Sequence, residues 1–385
     1  MAIEMLGRRT FIGATGLAFV LGPKKVLADA GAGDAAAAGL LRYVGTPENL
    51  ATPITAFDKL ITPTQLFFVR SHFGPPALDP TRKLTIDGAV KTPMSLGVAE
   101  LKSQFKEVTV TAVLQCAGNG RALHTPRVPG VQWGHGAMGQ ATFTGVRLKE
   151  VLTRAGVQKE ALHVRLAGAD LPPKPTVPAF IRSIPIERAL EASTIIAYKM
   201  NGEDLSLAHG APMRLIVPGW AADHWVKWLT GIHAQKTEAD GFYMQTAYKL
   251  PIDPVEPGSA PPPEKMKSLT TLPVKSVIAR PTEGSRAPAG TQEISGVAFS
   301  GLAAIDKVEV STDGGKTWKP ARLEGDSGVG RWQVFHYSFD QKTPGAVHAM
   351  VRARDKKGNE QPEKATWNPG GYMWNAWHSV TWVVA

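Results

Sequence analysis

The sequence predicts an α+β chain in two parts. In the first, short helices and strands are mixed; behind a proline-rich stretch follows an all-β sandwich. Three observations carry this reading. Between Leu84 and Met200, apolar runs of strand length recur among short helical patterns. Across 251–273, prolines alternate with polar spacers, the composition of a linker or wrapping segment. Beyond it, strand-like runs return at 274–279, 292–298, 307–311, 332–339 and 347–354. The hairpin signal Asp313-Gly314-Gly315 separates Val308-Glu309-Val310 from Thr317-Trp318. That spacing fits a sandwich of roughly a hundred residues.

The elements follow in order. Residues 31–55 are Ala/Gly-rich, then polar with prolines, and read as a surface-wrapping segment. Residues 66–69 read as a strand broken at Gly74-Pro75-Pro76, with Arg70 and His72 on one face. Residues 84–90 read as a strand and turn, and 95–105 as a short helix capped by Ser95. An apolar run, 108–114, predicts a strand leading into Gln115-Cys116-Ala117-Gly118-Asn119-Gly120-Arg121. A helix is expected over 146–155, a strand over 163–166, a short helix over 186–192 and a strand over 194–200. A buried strand over 213–217 is bracketed by His209 and Arg214 at one end and His224 and Lys227 at the other. Aromatics crowd the C-terminus (Trp367, Tyr372, Trp374, Trp377, Trp382), as core residues and as a subunit interface. The boundaries drawn are 1–30, 31–55, 56–250, 251–273 and 274–385.

Residues 1–30 read as a leader rather than fold. Gly7-Arg8-Arg9-Thr10-Phe11 is a twin-arginine pattern, followed by an apolar run to Leu21 and small residues at Ala28 and Ala30. The run is too short for an ordinary membrane span. This predicts an exported, periplasmic protein. Its removal takes away Arg8, Arg9, Lys24 and Lys25 against Glu4 and Asp29, so the chain, formally +10 overall, stays basic. No Lys/Arg run with interleaved aromatics marks a nucleic-acid binder. A small anionic substrate or an acidic protein partner fits the charge better. With a single cysteine there is no intrachain disulfide, so stability rests on core burial.

That cysteine, Cys116, stands at a predicted strand end among glycines, with Arg121 five residues on. A lone cysteine is more often a small buried hydrophobe. Here the Gly-Asn-Gly-Arg tail, which no core requires, favours a thiolate acting either as nucleophile or as soft-metal ligand. The cations and imidazoles around 209–228 suit a phosphate-bearing ligand, and their spacing matches no zinc motif. There is no Cys-x-x-Cys-His, no Gly-x-Gly-x-x-Gly and no P-loop, so any electron carrier is another protein.

In this order and spacing, several stretches together resemble the sulfite oxidase family of molybdenum enzymes. They are Phe68-Val69-Arg70-Ser71-His72, Cys116-Ala117-Gly118-Asn119 with Arg121, Trp133, the run from His209 to Arg214, His224 with Lys227-Trp228, and Trp367-Asn368 with Asn375-Ala376-Trp377-His378. The resemblance implies a mixed α/β molybdopterin-binding domain followed by an immunoglobulin-like dimerisation domain, hence a homodimer. It implies that Cys116 is the protein's thiolate on molybdenum. Arg70, Arg121, Trp133 and Tyr248 would form the substrate pocket. Phe68, His72, Asp170, His209, Arg214, His224 and Lys227 would hold the cofactor. The implied reaction is oxidation of sulfite to sulfate, with electrons passed to a separate c-type cytochrome. Two departures stand out. Gly120 occupies the first of two positions where vertebrate relatives have consecutive arginines. Pro369-Gly370-Gly371 replaces a stretch in which they carry an anion-holding arginine. The rival readings are an exported S-oxide reductase of the same fold and a basic binding module with no redox role.

Overall fold

The computed structural model describes residues 39–385, so the predicted leader lies outside the described residues. The described part of the wrapping segment, from residue 39 on, is not a loose strap. It forms an antiparallel hairpin, Leu41–Gly45 with Glu48–Ala51, and Leu50 and Ala51 enter the core. Among the described residues no helix is long and apolar enough to cross a membrane.

The first part contains two five-stranded sheets around one hydrophobic core. In one, Glu107–Gln115, Met138–Arg147, Ile195–Met200 and Glu203–Asp204 run antiparallel, and Arg214–Ile216 pairs with Ile195–Met200. In the other, Met94–Leu96, Leu84–Gly88, Leu229–Gln235, His163–Gly168 and Ile181–Pro185 are neighbours in that order. Only the pairing of Leu229–Gln235 with Leu84–Gly88 is parallel. The helix Leu148–Ala155 buries Leu148, Val151, Leu152 and Ala155, the i, i+3, i+4, i+7 stripe that makes it amphipathic. It stops where Gly156 turns left-handed.

Several boundaries differ from expectation. Residues 66–69 are not a strand; a single bridge ties Val69 to Leu50 after a 3-10 turn at Thr64–Leu66. The nearby prolines, Pro63, Pro75 and Pro76, leave no room for a ladder. Ser95 lies in the Met94–Leu96 strand, and the helix Val98–Gln104 is capped at Gly97, whose N–H donates to Glu100 Oε2 at 2.9 Å. Val146 and Arg147 end a ten-residue strand instead of starting a helix.

The second part is a sandwich of a four-stranded and a five-stranded sheet. Lys275–Arg280, Gly290–Phe299, Gln333–Gln341 and Arg322–Glu324 form one. The other is built on Ile305–Ser311, Gly345–Asp355 and His378–Val384, a last strand that the sequence reading passed over. Along Lys275–Arg280 the side chains alternate: Ile278 enters the sandwich core, whereas Val277 and Ala279 face the first domain. There they meet Phe57, Val113, Met138 and Trp332 in a joint core. The proline-rich stretch takes part in it. Met266–Ser268 pairs with Lys249–Pro251, and Leu269 and Leu272 are fully buried in the joint. Of the C-terminal aromatics, Trp382 is sandwich core, and the indole N–H of Trp367 donates to Pro126 O of the first domain at 3.0 Å.

Candidate active site

Cys116 stands where the Glu107–Gln115 strand ends. Its N–H donates to Ala137 O, and its carbonyl accepts from Asn119 N–H, both at 2.9 Å, closing a tight turn. The Asn119 side chain fastens that turn twice: Nδ2 donates to Gln115 Oε1 at 3.1 Å, and Oδ1 accepts from Ala137 N–H at 3.0 Å. Gly120 follows with φ +88°, and a Cβ there would stand 2.5 Å from Trp374 Cβ. Both facts require glycine at this position.

The thiol faces a cavity lined by Phe68, Arg70, His72, Asp170, His209, Arg214, Lys227 and Tyr248. One hydrogen-bonded run crosses it. An Arg70 N–H donates to Ser71 O, and Nη2 donates to His72 Nδ1 at 3.1 Å. With Nδ1 accepting, the neutral ring carries its proton on Nε2, which meets Tyr248 Oη at 2.8 Å. Burial first, then the charges of Arg70, Arg121 and Lys227, hold His72 far below its ordinary value, so it stays neutral. The Tyr248 oxygen therefore accepts from His72, and its own proton is directed elsewhere in the pocket. Burial raises the Tyr248 phenol well above its usual range, which keeps that proton in place. Tyr248 sits at φ +56°, a left-handed conformation rare for an aromatic residue.

The far wall is cationic. Arg214 is buried, with Nη1 donating to His209 O at 2.8 Å and Nη2 to Trp225 O at 3.2 Å; Nε has no partner among the described residues. Lys227 Nζ donates to Ala208 O at 2.9 Å and lies 4.2 Å from the Trp228 ring centroid. Burial lowers Arg214 to about 9 and His209 to about 3. Lys227 is pushed well below its ordinary value, by burial and then by Arg214. Asp170, itself raised by burial, only partly offsets them. Two buried cations, both held down by burial and Lys227 also by the charge of Arg214, make a site for an anion, which restores both.

Three predicted site residues do not line this cavity. Arg121 is 9 % exposed; its Nε donates to Gly370 O at 3.0 Å and Nη1 to Val131 O at 3.2 Å. Gly118 and Gly130 hold it closely, for a Cβ at either would lie 2.7 Å from the guanidinium. Its charge still reaches His72. Trp133 is wholly buried and packs on Tyr43, with ring centroids 4.8 Å apart. His224 is fully buried outside the cavity lining, where its Nε2 is 2.9 Å from Arg182 Nη2 and accepts a hydrogen bond from it. Burial and then Arg182 hold it neutral.

Several residues were missed. Arg182 is fully buried, 2.7 Å from the Asp223 carboxylate and 5.2 Å over the Tyr248 ring. Burial raises Asp223 to about 6 against the pull of Arg182. Phe180 stacks on His72 at 5.0 Å, and Tyr243 lies 4.7 Å from the same ring. The available signal was Phe180-Ile181-Arg182 at the start of the strand Ile181–Pro185, an aromatic residue and a cation two positions apart.

A molybdenum–molybdopterin group fits these residues. Among the described residues no group of three or more His, Cys, Asp or Glu side chains is placed to hold a metal. A lone soft thiol instead suits a metal whose other ligands come with its cofactor. The mutually opposed Arg214 and Lys227, with an unpartnered Arg214 Nε, suit that cofactor's phosphate.

The comparisons agree. The Oxidoreductase molybdopterin binding domain matches residues 72–243, and the Mo-co oxidoreductase dimerisation domain matches residues 266–384. The chain is 34% identical over 364 residues to sulfite oxidase of Gallus gallus, covering 88% of this chain and 78% of that one. It is 31% identical to sulfite oxidase of Arabidopsis thaliana, covering 87% and 91%. With mitochondrial sulfite oxidase of Homo sapiens it shares 36% identity, over 84% of this chain but only 62% of that longer protein. Among solved structures, the sulfane dehydrogenase SoxCD of Paracoccus pantotrophus superposes with a TM-score of 0.76 at 28% identity, over 87% of this chain and 84% of the other. The chain belongs to the sulfite oxidase family of molybdopterin-dependent oxidoreductases.

Proposed function

We propose that this chain oxidises sulfite to sulfate and passes the electrons, one at a time, to a separate c-type cytochrome. The observation that carries the proposal is the run Arg70–His72–Tyr248 beside the Cys116 thiol, which sets a cation and a phenol O–H in one pocket. A bound molybdenum–molybdopterin group supplies oxygen-atom transfer and two-electron redox chemistry. Cys116 holds the metal, and Arg214, Lys227, His209 and Asp170 hold the pterin and its phosphate. Arg70 orients the anion and neutralises its charge. Tyr248 donates its proton as a hydrogen bond to an oxygen of the substrate, and neutral His72 fixes the direction of that donation. Phe180 in the pocket wall, with Tyr243 packed against it and His72, keeps apolar surface around these polar groups.

The Arg8-Arg9 pattern supports export by the twin-arginine route and a periplasmic site of action. The C-terminal sandwich supports a homodimer, given the dimerisation domain that it matches. A second reading, a less charged sulfur donor such as a sulfane, is favoured by one observation: Arg121 is committed to Gly370 O and Val131 O and does not line the cavity, which leaves Arg70 as the guanidinium beside His72 and Tyr248. Sulfane is the substrate class in the name of the SoxCD structure. The test is reduction of ferricyanide or cytochrome c by molybdenum-quantified protein, with sulfite and a sulfane compound compared. Saturable sulfite-dependent reduction supports the first reading. Turnover confined to the sulfane compound supports the second.

A further inference from the structure

Position 370 deepens the proposed reaction, on which the following inference rests. Gly370 is close-packed, because a Cβ there would stand 2.1 Å from Cε2 and 2.4 Å from Cδ2 of the Tyr372 ring. The ring thus fills the space into which any side chain at position 370 would project. Three contacts fix it. It stacks on Tyr248 at 5.4 Å and 19°, the Tyr248 N–H reaches Tyr372 Oη at 3.4 Å, and the Arg121 guanidinium lies 5.2 Å from its centroid. Its backbone is clamped by Asn368, whose Oδ1 accepts from Tyr372 N–H at 2.9 Å and whose Nδ2 donates to Tyr372 O at 2.8 Å. The next residue, Met373, donates its N–H to Ala117 O at 2.8 Å, beside Cys116. Tyr372 also lines a separate surface groove together with Ile252, Thr271, Trp367 and Asn375, so the Tyr248–Tyr372 stack is the partition between that groove and the cavity of Cys116.

We infer that Tyr372 is a positioning residue for the reaction: its ring holds Tyr248 in the left-handed conformation that aims the phenol into the pocket. Gly370 is the residue that admits it. Any side chain at 370 and the aromatic ring at 372 exclude each other, so glycine at 370 is what lets the Tyr248–Tyr372 stack form. Tyr372 itself lies behind Tyr248 and acts through it.

The test labels tyrosine ζ-carbons with 13C. The chain has six tyrosines, few enough for the Tyr248 signal to be assigned by its loss in Tyr248→Phe. In Tyr372→Ala the Tyr248 signal should shift or broaden, whereas Tyr372→Phe, which keeps the stack, should leave it close to its original position. In molybdenum-loaded enzyme, Tyr372→Ala should lower kcat about tenfold with KM little changed, as expected for a misaimed transition-state contact. The same substitution should cost almost nothing further in the Tyr248→Phe background. Gly370→Arg should lower Tm in the parent chain and be tolerated beside Tyr372→Ala. The inference is overturned by an unmoved Tyr248 signal in Tyr372→Ala, by an undiminished kcat loss in the double variant, or by equal tolerance of Gly370→Arg in both backgrounds. Because the carbon signal is read without turnover, it stands or falls apart from the identity of the substrate.

Discussion

At the scale of single residues, the site depends on which groups are neutral and which donors are already used. His72 is neutral, Tyr248 keeps its proton, and Arg121 has Nε and Nη1 committed to carbonyl oxygens. Tyr248→Phe removes a single O–H and should lower kcat by about 10- to 100-fold, with KM nearly constant, if that proton acts mainly in the transition state. Steady-state kinetics on molybdenum-quantified protein measures this. Cys116→Ser should keep the pterin, which the cationic wall holds, while abolishing turnover; pterin fluorescence after release and the assay give the two readouts. Much of this site is legible from local spacing. Arg70 and His72 do come together, as their spacing suggested, though through a direct hydrogen bond in an irregular stretch and not through strand alternation, and Cys116 follows an apolar run into glycines. The role of Arg121 is not legible in that way. Its partners are Val131 O and Gly370 O, the second 249 residues away, and backbone carbonyls leave no mark in a sequence.

At the scale of elements, the proline-rich stretch shows the limit of reading composition. Prolines and polar spacers mark a linker, yet Leu269 and Leu272 are buried in the joint between domains and Met266–Ser268 pairs with Lys249–Pro251. Two leucines among prolines carry little periodic signal, and their burial is decided by what they meet. Leu272→Ala should destabilise the chain by about 2–5 kcal/mol, the usual range for a buried leucine left as a cavity. Denaturant unfolding measures it; a loss below about 0.5 kcal/mol would mean a passive linker. The strands of the sandwich were easier to place, because Val308, Val310, Val347, Ala349, Val351 and Ala353 alternate inward at period two. The stretch 66–69 misled for the opposite reason: it has the residues of a strand but no partner beyond Leu50.

At the scale of the whole molecule, the two domains meet around buried basic groups as well as around apolar ones. His378, on the last strand, lies with its ring centroid 4.4 Å from that of His135 of the first domain, and Lys275 is buried close by. Burial first, then Lys275, lowers His378 to about 4; burial, His378 and Lys275 push His135 well below its ordinary value. Both histidines gain protons on unfolding between their folded and unfolded values. Stability is therefore full above about pH 6.5 and falls as the pH drops toward 4. His378→Gln should flatten that dependence in thermal unfolding scans between pH 4 and 7. The cofactor acts at this scale too. An anion between Arg214 and Lys227 relieves their repulsion, so holoenzyme should melt above apoenzyme, by a margin that shrinks in Lys227→Met.

The central claim is that Cys116, the Arg70–His72–Tyr248 run and the cationic wall together form a sulfite-oxidising molybdenum centre. It is tested most directly by following sulfite-dependent reduction of a c-type cytochrome by protein whose molybdenum has been quantified. The expected result is about one molybdenum per chain, as a single thiol ligand requires, and saturable turnover that Tyr248→Phe slows. Full molybdenum loading with no sulfite-dependent reduction of cytochrome or ferricyanide would contradict it.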